Sequence, residues 1–148
     1  MKEIDFMAEN LVEHRSDNPN SIYYWVILED KNYCMAYEND KLKEVYIMDY
    51  PHNYFMSCRI DMKTISHYYA INNGSEILRY EEGKLNRVYT MKDRYTTIFE
   101  RDGVKVIYKK IEFDVQNKKE QLYNDLIKFL KKFNELKLFK LFQPNKPE

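Results

Sequence analysis

The sequence predicts a mainly β fold, an antiparallel meander of about eight to nine strands closed by an amphipathic C-terminal helix. From residue 21 to about residue 113, apolar residues recur with a period of two. Turn-forming pairs such as Asn39-Asp40 and Asp102-Gly103 separate these runs at hairpin spacing. Because the links between successive strands are short, neighbouring strands should be antiparallel, in a barrel or in a strongly twisted sheet.

The elements fit one domain, residues 1–148, which is long enough for a core of its own. Residues 2–14 mix apolar and acidic side chains and predict a short N-terminal helix. The apolar stripe of residues 115–142 predicts the C-terminal helix, although its last part, residues 136–142, also fits a final strand. The predicted strands are 21–29, 32–38, 42–50, 53–61, 63–71, 76–81, 84–91, 94–101 and 104–113.

The first predicted strand differs from the others, because residues 22–28 are apolar on both faces. Such a strand is central in its sheet, covered by a helix, or half of a binding surface. The simplest cover is the lysine-rich C-terminal helix, which would bury its apolar stripe against the sheet. The alternatives for this helix are an anionic membrane surface or the groove of a partner.

Comparison of the chain with itself reveals a repeat. Residues 37–48 read YENDKLKEVYIM and residues 80–91 read YEEGKLNRVYTM, and weaker matches extend the two units to 21–61 and 66–102. Matching turns and matching sheet positions follow from this identity, so we expect two related units of about four strands each.

The repeated segments also carry a resemblance to a known family. Residues 37–44 and 80–87 resemble the hairpin of MORN-variant repeats, which occur in some proteins described as bacterial antitoxins. The resemblance covers two short hairpins, and this chain departs from the glycine-rich family pattern because it contains three glycines. It implies an antiparallel interaction scaffold without catalytic residues.

Charge and composition narrow the function classes. The net charge is zero, from 24 basic and 24 acidic side chains, which makes nucleic acid an unfavourable partner. The apolar runs are too short for a membrane span, and the N-terminal residues lack signal-peptide character, so we expect a cytoplasmic protein. Cys34 and Cys58 lie inside predicted strands, either as buried reduced thiols or as a disulfide.

The sequence contains no motif of a known catalytic, nucleotide-binding or metal-binding site. We therefore expect no enzymatic activity, no cofactor and no metal ion. The histidines His14, His52 and His67 are too scattered for a metal site. His67, beside two tyrosines, is a candidate general base in a barrel mouth, but a structural role is the simpler expectation.

The primary functional hypothesis is a non-catalytic module that binds another protein by covering its surface. By analogy, this is the role of immunity proteins, antitoxins and phage-type inhibitors. Aromatic residues make up 16% of the chain, and aromatic anchors dominate protein interfaces. The partner is unidentified, and the hypothesis is compatible with a homo-oligomer. The binding candidates are Tyr23, Trp25, Tyr50, Tyr54, Tyr68 and Tyr95.

The alternative hypothesis is a small apolar-ligand-binding protein of the up-and-down barrel type. The predicted order of helix, meander and helix resembles the lipocalin layout. The candidates to line its cavity are Met35, Met48, Met56 and Met91, although these positions would fill a solid core equally well. Two further classes are an enzyme with a cleft between the repeated units and a tyrosine-studded sheet that binds nucleic acid.

Overall fold

Eleven β-strands and one α-helix make up the described residues, 3–7, 11–49, 53–112 and 115–142, of this computed structural model. The helix α1 (Lys119–Glu135) is flanked by short 3₁₀ helices at Gln116–Lys118 and Leu138–Leu141. The strands are β1 (Asp5–Phe6), β2 (Leu11–Arg15), β3 (Ser21–Leu28), β4 (Lys31–Glu38), β5 (Lys41–Asp49), β6 (Tyr54–Arg59), β7 (Ile65–Asn73), β8 (Glu76–Glu81), β9 (Lys84–Asp93), β10 (Thr96–Arg101) and β11 (Val104–Glu112).

Strands β2 to β11 form a closed antiparallel barrel. Each strand pairs with the next one along the chain, and β11 returns to pair with β2. The closing ladder runs from Tyr108 opposite Arg15 to Glu112 opposite Leu11. Strand β1 pairs with β3 beyond the end of β2. Closure gives every barrel strand two neighbours, which removes the long open edges that a meander of this length would otherwise have.

The N-terminal helix predicted over residues 2–14 is wrong. The described part of this segment is extended, and its residues 11–15 form β2, between β3 and β11. Leu11 and Val12 are both buried, on opposite faces of this strand. In so short a segment the apolar pattern fits both the helical and the strand periodicity. Pairing with two neighbouring strands favours the extended form. The nine predicted strands correspond to β3–β11, so the total of eight to nine was too low.

The repeated segments form equivalent hairpins. The turns Asn39-Asp40 and Glu82-Gly83 have positive φ at both residues, which is the geometry that joins two antiparallel strands in two residues. In both hairpins the pairing register shifts just before the turn, between Ala36 and Tyr37 and between Arg79 and Tyr80. The sequence identity therefore corresponds to the same turn and the same local bulge.

Helix α1 covers the outer face of strands β3–β6. Its Leu122, Leu126, Phe129 and Phe133 are buried in one cluster with outward-facing strand residues, so the prediction that the helix covers the sheet is confirmed. At one edge of this contact the Tyr37 hydroxyl donates to Asp125 Oδ2 at 2.6 Å. The strand residues of the cluster are Val12, Tyr24, Val26, Leu28, Tyr33, Met35, Tyr37, Val45, Ile47, Tyr54, Met56 and Cys58. Among the described residues, no helix has the length and apolar character needed to cross a membrane.

The contact between α1 and the barrel yields a stability prediction. Leu126→Ala should lower the free energy of unfolding by about 2–5 kcal/mol, because it leaves a cavity in the helix–sheet core. The matched control is Ile127→Ala, one residue further on, where the side chain is 38% exposed and Leu126 is 0% exposed. Urea unfolding followed by circular dichroism measures both variants. Equal losses in the two variants would contradict the described orientation of α1.

Candidate ligand-binding cavity

A cavity of about 770 Å³, partly open to solvent, lies within the barrel, and each of the ten barrel strands contributes side chains to its wall. Side chains alternate between the two faces of a strand, so the residues next to those under α1 point inward. Strand β3 shows both faces: Val26 and Leu28 lie under the helix, whereas Tyr23 and Trp25 line the cavity. This explains the strand that is apolar on both sides.

The wall of the cavity changes in character along the barrel axis. One end, here named the polar end, lies near the turns at 39–40, 82–83 and 102–103. Its side chains are Arg15, Glu44, Arg79 and Arg87. The apolar end lies near the turns at 29–30, 74–75 and 94–95. It carries Leu11, Met48, Phe55, Ile77 and Met91, with Asp49, Asn53 and Asn72 at its rim. Between the two ends lie Ala70, the ladder partner of Arg79, and the charged pair Glu13 and Lys110. The cavity is therefore amphipathic.

Aromatic rings connect the strands across the interior. Tyr108 packs against Tyr23, Tyr89 and Phe99, with ring centroids 5.9, 6.1 and 5.7 Å apart. Burial, followed by the neighbouring Tyr23 and Tyr89, raises the pKa of the Tyr108 hydroxyl. This hydroxyl therefore stays protonated at neutral pH and is able to donate a hydrogen bond inside the cavity.

Two acidic residues hold cationic side chains of the wall in different ways. Asp17 accepts hydrogen bonds from Arg15 Nε and Nη2 at 2.9 and 2.7 Å, and it also pairs with Arg101. These bonds, above all those from Arg15, lower the pKa of the Asp17 carboxyl group.

Glu13 lies opposite Lys110 in the β2–β11 ladder. Burial raises the pKa of Glu13, and Lys110 and Trp25 partly oppose that rise. The Trp25 Nε1–H is buried and has no well-formed hydrogen bond, although it lies close enough to favour the ionised form of Glu13.

Two further arginines, Arg79 and Arg87, are direct partners in the β8–β9 ladder, and both line the cavity. The Arg79 guanidinium lies 4.4 Å above the Tyr68 ring and its Nε donates to Asn86 Oδ1 at 2.7 Å. The Arg87 guanidinium lies 4.6 Å above the Phe99 ring. Within the described ranges, no carboxylate lies at ion-pair distance from either guanidinium.

The barrel wall has an incomplete hydrogen-bonded ladder beside Arg87. The ladder between β9 and β10 extends from Thr96 opposite Asp93 to Ile98 opposite Thr90, so the start of β9 and the end of β10 are not paired with each other. An outer groove lies along this gap, and Arg87 and Phe99 line it. Because Arg87 also lines the cavity, it stands between the groove and the interior.

The structure separates the six predicted binding residues. Tyr23, Trp25 and Tyr68 line the cavity. Tyr54 is buried under the C-terminal segment, where its ring packs 5.1 Å from Phe142, and its hydroxyl lies 2.6 Å from His67 Nδ1. Tyr95 is 46% exposed in the turn between β9 and β10, and Tyr50 is outside the described residues. Tyr23, Trp25 and Tyr68 thus face the cavity and Tyr54 also borders it, and the role of all six stays a prediction.

Of the methionines proposed to line a cavity, two do so and two do not. Met48 and Met91 are in the wall, whereas Met35 and Met56 are buried under α1. The sequence reasoning missed Arg79 and Arg87. Their signal was their spacing, since Arg79 lies two residues after the inward Ile77 and Arg87 two residues before the inward Tyr89. Inward and outward faces are, however, indistinguishable from the sequence when both carry apolar side chains.

The two cysteines lie on opposite faces of the barrel wall as free thiols. Cys34 lines the cavity and Cys58 is in the core under α1. Burial raises the pKa of the Cys34 thiol well above its usual value and that of Cys58 to about 11. Both are therefore thiols at neutral pH, the form that is not nucleophilic. In the part of the chain that the structure describes, no three His, Cys, Asp or Glu side chains cluster in a way that could hold a metal ion.

Comparison with known proteins gives no relative: no family model, no curated protein and no solved structure matches this chain. The cavity and its side chains are therefore the basis for a functional argument.

The raised pKa of Glu13 yields a prediction on pH dependence. A carboxyl group whose pKa is higher in the folded state destabilises the fold when it is ionised, and this cost disappears as the pH falls through that pKa. Glu13→Gln resembles the protonated form, so it should raise the free energy of unfolding at pH 7, with a gain that shrinks toward pH 4. Urea unfolding of both proteins across this range measures the difference.

The matched control is Glu112→Gln, at an exposed position in the same ladder. This variant should show no comparable gain at pH 7. A loss of stability in Glu13→Gln at pH 7 would mean that the attraction to Lys110 outweighs the burial of Glu13.

Proposed function

We propose that this chain is a non-catalytic binding protein that holds a small amphipathic molecule inside its barrel. The observation that supports the proposal is the cavity of about 770 Å³ within the barrel, partly open to solvent and lined by all ten barrel strands. Cavities of roughly 300–1,000 Å³ are typical of small-molecule sites. This is the alternative of the two functions expected from the sequence, widened from an apolar ligand to one with a polar group.

The width of the barrel supports an occupant rather than a filled core. About eight strands leave an interior that side chains just fill or that holds one small ligand, and this barrel has ten. The large inward side chains line the wall and still leave the volume open. Dense packing is the rule in protein interiors, so an open space of this size is a feature that needs an explanation, and a ligand provides one.

Binding of another protein is the second candidate function. Helix α1 covers only the β3–β6 side of the barrel, and the opposite side exposes large apolar residues. Ile71, Leu85 and Ile111 are 44%, 55% and 41% exposed. A protein partner or a second copy of this chain would cover these residues. An immunity, antitoxin or inhibitor role and a cytoplasmic location remain predictions within this second proposal.

The ligand proposal predicts that a bulky side chain in the cavity abolishes binding. The probe is the uncharged fluorophore N-phenyl-1-naphthylamine, which gains emission in apolar surroundings. Ala70→Trp should abolish this gain because the indole ring would occupy the space that the Ala70 side chain lines. The control is Asn73→Trp on the same strand, at an exposed position, which should bind the probe like the wild type.

Native mass spectrometry of freshly purified protein provides an independent test. A copurified small molecule, absent from Ala70→Trp, is the expected result. Failure of the wild type to bind the probe or any small molecule, together with recovery of one stoichiometric protein partner, would favour the second candidate function instead.

A further inference from the structure

We propose that Arg79 and Arg87 form an oxyanion site at the polar end of the cavity, so that the ligand is an amphipathic molecule with a compact anionic head group. The inference rests on the proposed function, because it assigns the chemistry of a ligand in the same cavity. It goes beyond that function by naming the two side chains that bind the head group and the class of molecule that carries it.

The first argument is the unbalanced charge of the pair. Arg79 and Arg87 are directly opposite each other in the β8–β9 ladder, and like charges at such positions destabilise a sheet. Both face the interior, where the electrostatic repulsion is less screened than on the surface. Across the described ranges, neither guanidinium has a carboxylate at ion-pair distance. A bound anion would relieve this repulsion.

The second argument is a comparison with the other cations of the cavity. Arg15 is held by two hydrogen bonds to Asp17, and Lys110 lies opposite Glu13 in its ladder. The wall therefore supplies an acidic neighbour for each of these two cations. Arg79 has an amide and aromatic rings instead, and Arg87 has the Phe99 ring and the Tyr89 hydroxyl; these neighbours orient a guanidinium without neutralising its charge.

The third argument is geometric preorganisation. Each guanidinium lies against a ring, Arg79 at 4.4 Å from the centre of Tyr68 and Arg87 at 4.6 Å from the centre of Phe99. Stacking limits the freedom of a long side chain, so less entropy is lost when a ligand binds. Arg79 and Arg87 are partners in the β8–β9 ladder, and each guanidinium presents forked donors that match the oxygens of a carboxylate or a phosphate. Tyr89 and Tyr108 lie beside this pair, since Arg79 is 5.9 Å from the Tyr89 ring and Tyr89 packs on Tyr108.

The surroundings of the pair indicate the rest of the ligand. From the arginines, the cavity extends toward Met48, Phe55 and Met91 at its apolar end. A molecule with its anionic group at Arg79 and Arg87 would lay its apolar body along these side chains. The unpaired stretch between β9 and β10, beside Arg87, places the head group next to the outer groove.

A matched pair of probes tests the site. Anilinonaphthalene sulfonate and N-phenyl-1-naphthylamine share an aromatic body, but only the first carries an anionic group. Arg79→Gln and Arg87→Gln should each weaken binding of the sulfonate by about tenfold or more, and change binding of the neutral probe by less than about twofold. Fluorescence titration at two salt concentrations measures both affinities.

Three controls accompany the titration. Lys109→Gln removes an exposed positive charge on the outward side of β11 and should leave both affinities unchanged. Arg87→Lys keeps the charge without the fork, and should lie between the wild type and Arg87→Gln. Urea unfolding of the two glutamine variants should show a cooperative transition and a folded protein under the titration conditions, so that weaker sulfonate binding is not due to loss of the fold.

Competition identifies the head group. Dodecanoate and dodecyl phosphate should displace the sulfonate probe from the wild type better than dodecanol, and the stronger of the two anions indicates the natural head group. If the glutamine variants bind both probes like the wild type, the oxyanion site is wrong and the proposed function still stands. If the wild type binds neither probe, the proposed function itself fails.

Discussion

Strand β2 pairs with β3 on one side and with β11 on the other, so that residues 11–15 join the first and the last strands of the meander. Without this ladder, the ten strands would be an open sheet with two long edges. With it, every strand has two neighbours and the sheet surrounds a separate interior. The cavity, the two environments of each strand and the position of the arginine pair all depend on this closure.

Closure gives the two faces of a strand different surroundings. On β3–β6 the outer face lies under α1 and the inner face lines the cavity. Both faces of these strands are therefore covered, which explains why their sequences are apolar on both faces. On the opposite side the outer face has no helix above it, and Ile71 and Leu85 are exposed. The repeated hairpins have the same turn and the same bulge in both halves. The helix, which covers one half, is what makes the halves different.

The positively charged side chains inside the barrel fall into two groups, those with an acidic neighbour and those without one. Arg15 is bound by Asp17, and Lys110 faces Glu13, which lowers the cost of placing these charges in a poorly solvated interior. Arg79 and Arg87 lack such neighbours within the described residues. Tyr89 favours the charged form of Arg87, but no described carboxylate neutralises either arginine, and charged groups of this kind cluster at binding sites. This contrast between two kinds of arginine is the physical basis for the proposed oxyanion site.

The nine central strands, their antiparallel order, the equivalence of the two hairpins and the C-terminal helix were all predictable from the sequence. Each of these follows from local spacing, from turn residues such as Asn39-Asp40, or from the similarity of one segment to another, and none of them requires knowledge of long-range contacts. That residues 11–15 are a strand was not predictable in this way, because their extended form comes from pairing with β3 and also with β11, which is about a hundred residues away. The tertiary structure also decided which face is the interior, since a closed sheet has an inside that no single strand specifies. Closure of the barrel is therefore what brings four separate side chains to the wall of one cavity, namely Tyr23, Trp25, Arg79 and Arg87.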